Sequence, residues 1–143
     1  MPIFDKSDYM EVTFTNLDAI STTFEGITIK DCSFVNCTLM ESSFRKCSFE
    51  ACTFEKCDLS LVKLPYTRFK DVRFKECRLM GINWCEADWE EQSLLYTKHV
   101  DFEGCLLDHS LFINIDLSET RFVKCKGRHL DFEGADLTRA DFR

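Results

Sequence analysis

Nine cysteines and three histidines are the residues of this 143-residue chain best suited to chemistry. Five of the cysteines fall in one stretch, CSFVNCTLMESSFRKCSFEACTFEKC, at positions 32, 37, 47, 52 and 57. Thiolates hold zinc, pair as disulfides or act as nucleophiles. Zinc sites gather ligands at short spacings such as C-x2-4-C, whereas these cysteines are separated by multiples of five. Nine is an odd number for a complete disulfide framework. The start, MPIFDKSDYM, lacks the basic region and apolar run of a secretory leader, which points to the cytoplasm, where thiols stay reduced. There is no Gly-rich phosphate loop, no nucleophile beside a histidine and no pair of carboxylates suggesting a concave site, so neither enzymatic activity nor a cofactor is expected. A net charge of −7 argues against nucleic acid or an anionic membrane as a direct ligand. No segment approaches the ~18 apolar residues of a membrane span.

The cysteine spacing belongs to a wider pattern that sets where every residue must sit. From residue 2 the chain divides into blocks of five, such as CSFVN, CTLME, SSFRK, CSFEA, CTFEK and CDLSL. The third position of each block is large and apolar, and all fourteen Phe and both Trp fall on it. The first position is small or medium. Neither position ever holds Asp, Glu, Lys or Arg, although charged residues make up 30% of the chain. Two residues in five therefore face a continuous core and three face water. A period of five is neither 3.6 nor 2, so the chain must turn a corner at each block, as in a solenoid. The phase slips once, by three residues, and this is read as an insertion TKH, Thr97 to His99. A single domain over 1–143 is expected, with regular segments at 2–96 and 100–143.

CSFEACTFEKCDLS and DFEGADLTRADF match the pattern of small residue, polar, Phe or Leu, polar, polar that marks the pentapeptide-repeat family, and the chain resembles that family over nearly its whole length. The resemblance implies an all-β fold, a right-handed, four-sided parallel β-helix with four blocks per coil and about seven coils. Twenty residues per coil would stack Cys37, Cys57 and Cys77 in one column and Cys32 and Cys52 in another. Stacked cysteines have parallel Cβ vectors, a poor disulfide geometry, and neighbours five apart lie on different walls. Eight cysteines are thus expected to act as small buried hydrophobes. Cys85, which follows Trp84 at an outward position, is the one thiol expected to react. Trp84 and Trp89 are expected to fill a widened core, and Ala19 and Gly127 to underfill theirs. His109 and His129 should stack one coil apart, but no third ligand accompanies them and no metal site is expected.

Counting blocks around the coil, with 97–99 as an insertion, gathers Asp8, Glu11, Asp31, Glu50, Asp71, Asp88, Glu90, Glu91, Asp131 and Glu133 on one wall, against Lys30, Arg68 and Lys70. That wall then carries the whole excess negative charge. It is either a solvated face or a stripe that docks in a basic groove. The inserted Thr97, Lys98 and His99 form a second candidate contact, since loops on a regular scaffold commonly carry recognition.

The Cys-rich blocks and CDLSLVKLPYTRFKDVRFKECRLMGINW look like those of family members that protect type II topoisomerases, DNA gyrase or topoisomerase IV, from quinolones or toxins. The resemblance implies an acidic rod acting as a partial mimic of DNA. A general protein-interaction scaffold is the alternative. Those relatives commonly end in a short helical cap, whereas this sequence stops in mid-block at ADFR. Its last coil would expose Phe132, Leu137 and Phe142, so a homodimer through the C-terminal coils is expected.

Overall fold

The structure, a computed structural model, describes residues 6–89 and 98–143. Within them the chain winds as a right-handed, four-sided parallel β-helix. Wall A stacks the strands Asp8–Met10, Thr28–Lys30, Ser48–Glu50 and Arg68–Lys70. Wall B stacks six, Thr13–Thr15, Ser33–Val35, Thr53–Glu55, Val72–Lys75, Val100–Glu103 and Phe122–Val123. Wall C is joined by single bridges through Asp18, Thr38, Asp58, Arg78, Leu106 and Lys126. Wall D pairs Thr23–Glu25 with Ser43–Arg45 and continues by bridges through Lys63 and, further along, Asn83, Leu111 and Asp131. From Asp18 to Lys126 wall C makes about five turns, so the coil count differs slightly from the seven expected.

The corners explain why the period is five. Outside the 3-10 turn Trp84–Glu86, the last residue of the described blocks from Glu11 onward adopts the left-handed conformation, as at Glu11 (φ 56°), Ala51 (φ 53°), Leu61 (φ 61°) and Tyr66 (φ 58°). This region costs an L-residue about 1–2 kcal/mol. It is held because a corner N–H with a coil beyond it is satisfied by that coil: Ala51 donates to the Lys70 carbonyl at 2.8 Å and Leu61 to that of Met80 at 2.9 Å.

Inside, the large residues of successive coils lie face to face. Phe54 stacks between Phe34 at 4.5 Å and Phe74 at 5.0 Å between ring centroids. Trp84 is buried and stacks on Phe112 at 5.7 Å, while standing nearly perpendicular to Phe74 and Phe102. Trp89 is only partly buried and donates its indole N–H to the Trp84 carbonyl at 2.6 Å. Gly127 is filled from beside it, since a Cβ there would meet Leu130 Cδ1 at 2.7 Å.

The insertion differs from the expected one. Wall B pairs Arg73 with Thr53, twenty residues away, but Val72 with Val100, twenty-eight away. The register gains eight residues, not three, and gains them between Trp89 and Lys98. A phase slip modulo five cannot distinguish the two. Lys98 and His99 belong to the coil itself: their carbonyls accept from Asp71 N at 2.8 Å and Val72 N at 3.1 Å. Thr97 lies outside the described residues.

Candidate protein-interaction surface

The inward cysteines are expected to act as small hydrophobes, yet their thiols, like the inward Ser and Thr hydroxyls, lie within hydrogen-bond reach of carbonyls. Ser42 donates to the Ala19 carbonyl at 2.8 Å, and Thr67 to that of Phe44 at 2.6 Å. Cysteines occupy the same role: Cys57 Sγ lies 3.3 Å from the Phe34 carbonyl, Cys77 Sγ 3.2 Å from that of Phe54, and Cys105 Sγ 3.2 Å from that of Phe74. The eight-residue shift lengthens the thiol column, which now runs Cys37, Cys57, Cys77, Cys105 and Cys125. Seven cysteines are buried, and Cys85 and Cys125 are half-buried. Cys85 does not stand free: its sulfur accepts from Ile113 N at 3.0 Å and approaches the Leu111 carbonyl at 3.7 Å. Burial pushes the Cys52 thiol up to about 11, away from the reactive thiolate form. Among the described residues no three His, Cys, Asp or Glu side chains form a group able to hold a metal ion. His109 and His129 stack at 4.9 Å, both exposed.

Wall A brings together six of the ten expected carboxylates, Asp8, Glu11, Asp31, Glu50, Asp71 and Asp88. Glu90 and Glu91 lie outside the described residues. Asp131 and Glu133 stand on wall D, because Asp131 bridges Leu111, which bridges Asn83. The shifted register is the reason. In their place Asp116 and Glu119, then Asp136 and Arg139, continue wall A.

Cations are threaded through this wall. Glu50 is bonded from both sides, by Lys30 at 3.3 Å and Lys70 at 3.3 Å. Arg68 pairs with Asp88 at 2.8 Å, and Arg139 with Glu119 at 3.3 Å. Burial acts to raise the Glu50 pKa, but the two ammonium groups outweigh it and hold the carboxyl below its usual range. The wall is therefore acidic at its N-terminal end and alternating in sign further along.

The remaining expected sites are spread out. Lys98 pairs with Asp101 at 3.0 Å, and His99 packs edge-on against Trp89 at 5.3 Å with Nδ1 3.1 Å from the Phe69 carbonyl. Phe132 and Leu137 are half-buried at the C-terminal end. Phe142 stacks on Phe122 at 4.8 Å yet remains 54% exposed. Near the register shift, Tyr66, Trp89 and Ile113 line an open cleft, with the Arg45 guanidinium 5.5 Å above the Tyr66 ring. PY in VKLPYT was the only sequence signal for it, a rigid residue placing an aromatic at a corner.

The five-residue repeat, the four walls and the stacked Phe columns define a pentapeptide-repeat solenoid. The family pattern described as a pentapeptide repeat region matches residues 27–112, and that of pentapeptide repeats in eight copies matches 105–143. The chain belongs to the pentapeptide-repeat family. No curated protein matches it in sequence. Its fold is similar to that of a trypsin-treated variant of QnrB1, described as a plasmid-mediated fluoroquinolone resistance protein, at 17% identity and TM-score 0.54 over 93% of this chain and 73% of that one. Full-length QnrB1 is similar at 19% identity and TM-score 0.41, over 90% and 76%. HetL of the cyanobacterium Nostoc, described as involved in heterocyst differentiation regulation, is similar at 12% identity and TM-score 0.39, over 96% and 90%. No helix among the described residues is long and apolar enough to cross a membrane.

Proposed function

We propose that this chain is a non-enzymatic, cytoplasmic rod that binds a type II topoisomerase, DNA gyrase or topoisomerase IV, and protects it from quinolones or toxins. The observation that carries the reading is the alignment of Asp8, Glu11, Asp31, Glu50, Asp71 and Asp88 on one wall of a filled solenoid. The shared fold with a fluoroquinolone resistance protein agrees with it. Duplex DNA carries one charge per ~1.7 Å, whereas coils rise by ~4.8 Å. With Lys30, Lys70 and Arg68 paired into the wall, mimicry is partial and strongest toward the Asp8 end.

The test is a gyrase supercoiling assay with and without a quinolone, adding this protein. Restored supercoiling in the presence of drug supports the reading. No effect on supercoiling or on drug inhibition, at protein in excess over enzyme, rejects it. The alternating ion pairs of wall A favour one other reading, a general protein-interaction scaffold unrelated to gyrase. That reading is preferred if purified gyrase does not bind the chain at all.

A further inference from the structure

Wall C carries an apolar ridge that the core does not need. Ile20 is 52% exposed and Leu61 49%, with half-exposed Met40 and Met80 beside them. The inward positions of the same blocks are already filled, since Ala19, Leu39, Leu59 and Leu79 are 4% exposed or less. These four residues are therefore surplus to folding and stand at outward positions, where apolar side chains are scattered singly on the other walls, as at Met10 and Tyr66, but gather here.

They form one surface. Ser21 N donates to the Met40 carbonyl, and Leu61 N to that of Met80, both at 2.9 Å, which fixes the stacking of the coils. Ile20 sits above Met40, and Leu61 lies at the corner between the coils of Met40 and Met80. Gly81 shapes the ridge: a Cβ there would come within 2.5 Å of Leu61 Cδ2. Leu61 consequently lies along the rod, over the glycine, and reaches toward Met80. The rim is acidic, with Asp18, Glu41 and Asp58 on wall C and its corner, and the single cation of these four wall C blocks, Arg78, is paired with Asp58 at 3.7 Å. Further along, wall C turns basic at Lys126 and Arg128.

An apolar stripe with a carboxylate rim is complementary to an apolar stripe flanked by cations. Coils spaced ~4.8 Å apart come close to the ~5.4 Å pitch of an α-helix, so side chains on successive turns meet successive coils over this length. We propose that the Ile20–Met40–Leu61–Met80 ridge docks an amphipathic, cationic helix of a protein partner, with its lysines or arginines against Asp18, Glu41 and Asp58. An anionic lipid surface is disfavoured by the same carboxylates. The proposal does not depend on which partner wall A serves.

The two methionines report on the ridge directly. The full chain carrying 13C-methyl methionine is titrated with a synthetic Leu/Lys peptide of about fourteen residues whose leucines repeat at i, i+3, i+4 and i+7. Met10, exposed on wall A, is the internal reference. Saturable shifts at Met40 and Met80 with Met10 unmoved are expected. A scrambled peptide of equal composition should bind far more weakly. Leu61→Asn and Met80→Asn, each checked for an unchanged circular dichroism spectrum, should each weaken binding about tenfold. The proposal is overturned if Met10 shifts in parallel, if the scrambled peptide binds equally well, if neither variant weakens binding, or if nothing shifts at millimolar peptide. Phosphatidylcholine vesicles are run beside the peptide, and perturbation of Met40 and Met80 by vesicles alone would assign the ridge to lipid instead.

Discussion

The amide of Val72 donates to the carbonyl of His99 at 3.1 Å, across a gap eight residues longer than that from Ala51 to the Lys70 carbonyl in the coils before the register shift. The shift that this bond marks redraws the outer surface beyond it. Asp131 and Glu133 leave wall A for wall D, and Asp116 and Glu119 replace them. If wall A is the docking face, charge reversal at Asp8, Asp31 and Asp71 should abolish protection in the supercoiling assay, while reversal at Asp131 and Glu133 should leave it intact. Binding should also weaken as salt is raised. Equal loss from both sets of substitutions would remove wall A from the mechanism.

Phe54 is held between Phe34 and Phe74 and is 2% exposed. Truncation of a buried Phe to Ala costs about 3–5 kcal/mol. Phe54→Ala should therefore melt far below the parent, and Glu55→Ala, next to it on the outer surface, should shift melting little. Comparable shifts in thermal denaturation would contradict the inward register.

Thiol reactivity should divide the nine cysteines. Cys85 and Cys125 are half-buried, and the other seven are buried. Alkylation of the folded protein followed by mass spectrometry should label no more than these two quickly, with the remainder released only on unfolding. The sulfur of Cys85 is engaged by Ile113 N, so its labelling should lag behind that of a free thiol. Rapid modification of Cys57 or Cys77 would show that the column is open.

Glu50 links the wall to pH. Its folded pKa is depressed, because Lys30 and Lys70 together outweigh the effect of burial. The resulting stability is fully present above the unfolded value of about 4.3 and is lost as pH falls through the folded value. Glu50 is partly exposed, so the effect should be below about 1 kcal/mol. In chemical denaturation at a series of pH values, Glu50→Gln should be less stable than the parent at neutral pH, and the difference should vanish in acid. A difference that grows in acid has the wrong sign for this ion pair.

The core of this fold is legible in the sequence because the inward positions exclude charge without exception, and Phe34, Phe54 and Phe74 announce their column by spacing alone. The outer surface is less legible. Slips of three and of eight residues leave the same phase, and only the pairing of Val72 with Val100 separates them. The neutralisation of Glu50 by Lys30 and Lys70 depends on neighbours twenty residues away, which a count of charges per wall does not see. The cysteines read as filler because their composition is apolar. Their bonds to the Phe34, Phe54 and Phe74 carbonyls follow from backbone direction in the preceding coil.

The stacking of Phe34, Phe54 and Phe74 at intervals of twenty residues also has a genetic reading. Duplication or loss of twenty codons lengthens or shortens the rod and returns every later residue to its own wall. Loss of five codons turns everything downstream by a quarter, leaving the filled interior intact while presenting a new exterior. In-frame slippage at a repeated coding tract is thus a ready source of novel surfaces on an unchanged core.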